Sequence, residues 1–81
     1  MKVIFSDRFT RSFVTAPEAI QKTFGKQLGH LLRNLQHPSL HAKKFAEARE
    51  SWQARVNQDW RFYFRIEGDT YHMIDIMPHP K

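Results

Sequence analysis

The chain contains no cysteine. That excludes disulfides and thiolate metal sites, and it gives secretion no support. Glycine is scarce, with three residues, and none sits in the spacing of a phosphate-binding loop. Five histidines are present, but no pair of His or carboxylates has a metal-ligand spacing such as HExxH, so neither a metal nor a cofactor is expected. Repeats, low-complexity tracts and linkers are missing. The opening residues, "MKVIFSDRF", are too quickly charged to read as a signal peptide or a membrane span. The expectation is a cytoplasmic protein with no membrane contact. Acidic residues are also in the minority, eight against thirteen Lys and Arg, for a formal charge of +5. An excess of this size in a short chain favours a polyanion or an acidic protein as partner.

What is present is enough for one core. At 81 residues there is room for a single domain, residues 1–81, and seven Phe and two Trp within 41% hydrophobic residues argue against disorder. "KVIF" reads as a short strand, at an edge or in the centre of a sheet. "SDRFTRSF" reads as a short helix with Ser6 or Asp7 as N-cap and Phe9 and Phe13 on one face. In "TAPE", Thr15 and Glu18 have the spacing of a capping box, with Pro17 in the first turn. Ile20, Phe24, Leu28, Leu31 and Leu35 then recur at helical spacing. The helix is predicted to end near Gln36, because Pro38 disfavours helix at His37. Gly25 and Gly29, beside the apolar stripe, are expected to let another backbone approach.

Beyond Pro38 the period becomes two. "LHAKKF" reads as a strand or extended segment, "SWQARV" and "WRFYFRI" alternate, Gly68 and Asp69 form a hairpin turn, and "TYHMIDIM" is the last strand. The predicted order is β-α-α-β-β-β, an α+β fold with two helices on one face of a mostly antiparallel sheet.

Alternation assigns the faces. Trp52, Ala54, Val56, Trp60, Phe62, Phe64, Ile66, Ile74 and Ile76 are expected beneath the helices. Gln53, Arg55, Arg61, Tyr63, Arg65, Tyr71, Met73, Asp75 and Met77 then point the other way, and His79 continues that parity. Lys43 and Lys44 are expected to join this helix-free face. One face of an antiparallel sheet is commonly solvated, yet here cations and aromatics gather with Asp75 as the one evident counter-charge. His79 stands at the end of the basic face as a proton-transfer candidate. His30 and His37 read as helix-boundary and loop residues, and His41 and His72 stay ambiguous.

The run "LQHPSLHAKKF…WQARVNQDWRFYFRIEGDTYHMIDIMPH" resembles the RelE/ParE superfamily of bacterial toxins of type II toxin–antitoxin systems. The shared features are a helix ending before "HPSL", Lys44-Phe45, the "ARV…WRFYFRI" hairpin, and a final strand followed by a terminal His or basic residue. RelE-like members cleave mRNA on the ribosome without a metal, and ParE-like members inhibit DNA gyrase. The resemblance implies a metal-independent, ribosome-dependent endoribonuclease that inhibits translation. The alternatives are a gyrase inhibitor and a non-catalytic relative that binds RNA or protein. It also implies catalytic roles for His79, Arg55, Arg61 and Lys44, with RNA contacts from Lys43, Arg49, Tyr63, Arg65, Tyr71 and Lys81. Ala46 and Glu47 occupy the place of the family's second lysine, which leaves Lys43 or Arg49 as the substitute. The implied partners are mRNA, the ribosome and an antitoxin whose acidic and apolar segment covers the basic face. The chain is then a monomer or part of a toxin–antitoxin hetero-oligomer.

Overall fold

The computed structural model describes residues 1–46 and 51–80. The elements, in chain order, are β1 (Lys2–Phe5), α1 (Asp7–Thr15), α2 (Glu18–Arg33), a short 3-10 turn (Pro38–Leu40), β2 (Lys43–Ala46), β3 (Ser51–Arg55), β4 (Trp60–Glu67) and β5 (Thr70–Pro78). Among the described residues this is the expected α+β fold, two helices packed on one mostly antiparallel sheet. The segment around Lys43 is a strand in its own right, so four strands rather than three follow the helices.

The strands run in the order β1-β5-β4-β3-β2. Three adjacent pairs are antiparallel, whereas β1 lies parallel to β5 with Lys2 opposite Thr70 and Phe5 opposite Met73. Among the described residues β1 is therefore an edge strand that pairs with β5 alone. Ser6 locks this closure. Its backbone N–H donates to the Met73 carbonyl at 3.1 Å, its hydroxyl donates to the Ile74 carbonyl at 2.9 Å, and its Oγ accepts from the Phe9 N–H at 3.0 Å. One residue thus caps α1 and pins it to β5.

The second helix departs from expectation at both ends. Thr15 does not cap it; its hydroxyl donates back to the Arg11 and Ser12 carbonyls and closes α1. Pro17 precedes α2 with no side-chain cap, and the helix stops at Arg33. The stop is early because Asn34 leaves the helix and its Oδ1 accepts from the Gln36 N–H at 2.9 Å, a local turn that competes with another helical residue. Gly25 and Gly29 are exposed, and a side chain built on either meets nothing within 4 Å. Among the described residues no neighbouring element's backbone approaches them.

An aromatic cluster joins the helices to the sheet. Phe24 of α2 lies 5.2 Å from Phe9, 5.6 Å from Phe13 and 5.1 Å from Phe62, ring centre to ring centre. Leu31, Leu40, Ala54, Val56, Phe64 and Ile76 complete the buried centre. Gly68 takes φ +59 in the two-residue turn between β4 and β5, a conformation that glycine adopts without strain.

Two irregularities decide which side chains reach which face. Between β4 and β5 the register shifts, pairing Tyr63 with Asp75 but Phe64 with Met73, and leaving Ile74 as the extra residue. A bulge of this kind reverses the parity of everything beyond it. Tyr71 and Met73, expected on the outer face, are buried with Phe64 instead, the Tyr71 ring meeting the Phe64 ring at 5.6 Å. Ile74, expected inside, lines a groove on the outer side with Tyr63 and Asp75. The second shift lies in β2, between Lys44 and Ala46.

Candidate functional site

The register of β2 separates its two lysines. Lys43 stands opposite Gln53, and Lys44 stands opposite Trp52. Trp52 packs against the core, so Lys44 lies on the helix side of the sheet while Lys43 takes the outer side. Neighbouring strand residues cannot share a face. The expectation that Lys44 joins Arg55 on the basic face is corrected: Lys43 does so.

On the outer side, Arg55 of β3 and Arg61 of β4 are direct cross-strand partners. Together with Lys43, His41, Ala42, Gln53 and His79 they line a cleft of ≈ 390 Å³. Among the described residues no carboxylate lines it. Four of the residues expected in a site, Lys43, Arg55, Arg61 and His79, are brought together here from β2, β3, β4 and the segment after β5. The last of these is held in place by its main chain, since the His79 N–H donates to the Asp59 carbonyl at 2.7 Å. This fastens the residues beyond β5 to the β3–β4 turn and carries the imidazole past the end of the strand.

The two arginines differ in their engagement. Arg61 is 6% exposed, and its Nη1 donates to the carbonyls of Asn57, Gln58 and Trp60 at 2.8, 3.1 and 3.0 Å. Asn57 Oδ1 accepts from the Asp59 and Trp60 N–H groups at 2.8 and 2.9 Å, so the turn is tied from both sides. Arg61 therefore organises the turn that receives His79, and its remaining edge faces the cleft. Arg55 is half-buried, and among the described residues no carboxylate or carbonyl engages its guanidinium, which leaves both faces of the fork for an incoming anion.

The other expected residues lie elsewhere. Tyr63 faces outward but meets Phe45 edge-on at 5.1 Å and lines the separate groove with Arg8, Ser51, Ile74, Asp75 and Met77. Asp75, the counter-charge of that groove, is paired with Arg8 at 3.1 Å and accepts from the Ile76 N–H at 2.8 Å. Arg65 is exposed and bonded to Glu67, away from the cleft; its hydrogen bond and charge hold the Glu67 carboxyl below its ordinary value. Tyr71 is in the core, where burial pushes its phenol above the ordinary 10.0. Arg49 and Lys81 lie outside the described residues.

Sequence reasoning left His41 ambiguous and did not single out Gln27. His41 has φ +46, a left-handed backbone that histidine adopts more readily than most side chains, and this turns its ring toward the cleft. Gln27 is buried in α2. Its amide donates to the Ser39 and Arg55 carbonyls at 3.1 and 2.9 Å, and its Oε1 accepts from the Ser39 hydroxyl at 3.1 Å. A polar residue on the apolar side of a helix was the available signal, since a buried amide has to find such partners.

The architecture has well-defined counterparts. A YoeB/ParE toxin from Agrobacterium tumefaciens superposes with a TM-score of 0.81 at 13% identity, over 99% of this chain and 100% of that one. The fold is that of the RelE and YoeB toxins. The RelE chain of an antitoxin–toxin complex from Methanococcus jannaschii gives 0.74 at 18% identity, over 93% and 88%. YafQ from E. coli gives 0.72 at 15%, over 96% and 92%. No family model and no curated protein matches the chain. Among the described residues no helix is long and apolar enough to cross a membrane.

Proposed function

We propose that this protein is the toxin of a type II toxin–antitoxin system and that it cleaves mRNA on the ribosome. The observation that carries the reading is the cleft in which His79, Arg55 and Lys43 meet without a carboxylate. A phosphodiester is the substrate such a surface fits. Its charge is matched by the cations, and its cleavage needs one group that moves a proton.

In the proposed reaction the ribose 2′-oxygen attacks the adjacent phosphorus. The new 2′-O–P bond forms as the P–O5′ bond breaks, giving a cyclic phosphate and a free 5′-hydroxyl. The 2′-hydroxyl gives up one proton and the leaving oxygen takes one. His79 serves one of these transfers. Arg55 and Lys43 stabilise the charge that builds on the non-bridging oxygens, Arg55 through paired N–H donors and Lys43 as a compact charge. Arg61 keeps the turn in register and adds to the positive field. The protein works in the cytoplasm and is held inactive by an antitoxin whose acidic and apolar segment covers the outer face. A RelE of this fold was solved with its RelB antitoxin, which supports the partner.

The test is induced expression of the wild type and of His79→Ala in a bacterial host, with mapping of mRNA 5′ ends. The expected outcome is growth arrest with new, codon-phased ends, both lost in the variant. Arrest without new ends that persists in the variant would sink the reading in favour of gyrase inhibition. No arrest from either would leave a non-toxic binding relative.

A further inference from the structure

Beside the His79 cleft lies a larger one of ≈ 760 Å³, between α2 and the β3–β4 turn. It shares His41, Arg55 and Arg61 with its neighbour, so the two form a continuous path around one pair of arginines. Its far wall carries Lys26, His30 and His37.

The two histidines are arranged in an unusual way for loop and helix-end residues. Their rings are parallel to within 15°, with centres 3.9 Å apart. The pair is separate from the phenylalanine cluster, and both rings line the cleft. The platform is fixed from behind. His37 Nδ1 accepts from the Ser39 N–H at 3.2 Å and lies 2.8 Å from the Ser39 hydroxyl, and Ser39 is in turn held by Gln27. A neutral His37 accepting at Nδ1 carries its proton on Nε2, which leaves a donor on the far edge of the ring. The electrostatics agree with the geometry. His30 is held below its ordinary 6.5, first by partial burial, then by repulsion from His37 whenever that ring is protonated, and by the charges of Lys26 and Arg33. Among the described residues no carboxylate lines this cleft either.

We propose that this cleft is a second nucleotide subsite for single-stranded RNA, in which the stacked His30 and His37 rings carry a base and Lys26 takes the adjoining phosphate. The inference rests on the RNA-cleaving reading and deepens it: the strand runs from the His79 cleft past Arg55 and Arg61 onto the α2 platform. Stacking suits a base of any identity, because every base has a π-face. Asn57 and Gln58, at the rim, supply the amides for edge contacts.

The test is direct binding, separate from cleavage, using fluorescein-labelled 2′-O-methyl oligonucleotides of two and six nucleotides at low salt. The wild type is expected to hold the hexamer more tightly than the dimer. Lys26→Ala and His30→Ala, each checked by thermal melting, are expected to weaken hexamer binding roughly tenfold. Lys26→Ala also lowers the salt slope by about 0.7, the share of one single-strand phosphate. Folded variants that keep the full hexamer affinity would overturn the subsite, as would a wild type that binds neither oligomer. If binding follows the expected pattern while unmodified mRNA on ribosomes stays intact, the subsite stands and the endoribonuclease reading falls.

Discussion

Arg55 and Arg61 face each other across the β3–β4 ladder, yet one guanidinium is engaged by three carbonyls of the adjoining turn while the other is open to the cleft. Like charges directly opposite one another oppose strand pairing. The pairing holds here because Arg61 is turned into the 57–60 turn, where its charge is solvated by main-chain oxygen.

Substitution separates the two. Arg61→Ala removes a buried side chain and the three hydrogen bonds by which it holds the 57–60 turn, and is expected to destabilise the fold by about 2–4 kcal/mol. Arg55→Ala is expected to change stability by less than about 1 kcal/mol while abolishing the proposed RNA cleavage. Denaturant melts alongside a cleavage assay check both. Equal stability loss in the two variants would contradict the assignment.

Gln27 acts at a distance. Gln27→Leu keeps the volume but removes three hydrogen bonds, including the one to the Arg55 carbonyl. The expected loss is about 1–3 kcal/mol of stability, with the proposed cleavage reduced through misplaced Arg55. Gln27→Glu retains the acceptor for Ser39 but not the donors, and should recover stability only in part. If Gln27 is a positioning residue, kcat falls more than KM rises.

Burial of Tyr71 gives a pH dependence with a definite sign. Its phenol ionises above the ordinary 10.0 in the folded chain and near 10.0 in the unfolded one. The folded state therefore holds the proton longer. Stability is unaffected by this group below pH 10.0 and falls as pH climbs through the raised value. Tyrosinate absorbance should show Tyr71 titrating at higher pH in the folded protein than in the unfolded chain, and Tyr71→Phe should flatten the alkaline limb of the stability curve.

Gly25 and Gly29 lie inside α2 with open space where a side chain would project. Alanine at either site is expected to stabilise the protein by about 0.5–1 kcal/mol, raising Tm by a few degrees. Calorimetry of the single and double variants checks this, and a decrease in Tm would contradict it.

Much of this architecture was legible in the sequence because two periods, 3.6 and 2, separate cleanly at Pro38. A cap at Ser6 or Asp7, the Gly68-Asp69 turn and the placing of Arg55, Arg61 and His79 on one face all follow from spacing and alternation. The misses share a cause. Strict alternation has no means of seeing an inserted residue, so Ile74 reversed the predicted faces of Tyr71 and Met73. The choice between Lys43 and Lys44 depended on a register that only the partner strand sets. The His30–His37 platform joins a helix to a turn whose path Asn34 determines, and no local pattern announces that contact.

The parallel pairing of β1 with β5 also has a consequence for how the protein is made. Among the described residues β1 pairs with β5 alone, and the Ser6 lock reaches a carbonyl 68 residues further along. His79 is synthesised later still. A partly translated chain can form α2 and hairpins, but it has neither a closed sheet nor a furnished cleft. The closed sheet and the arginine–histidine cleft therefore assemble only after β5 and His79 have been made.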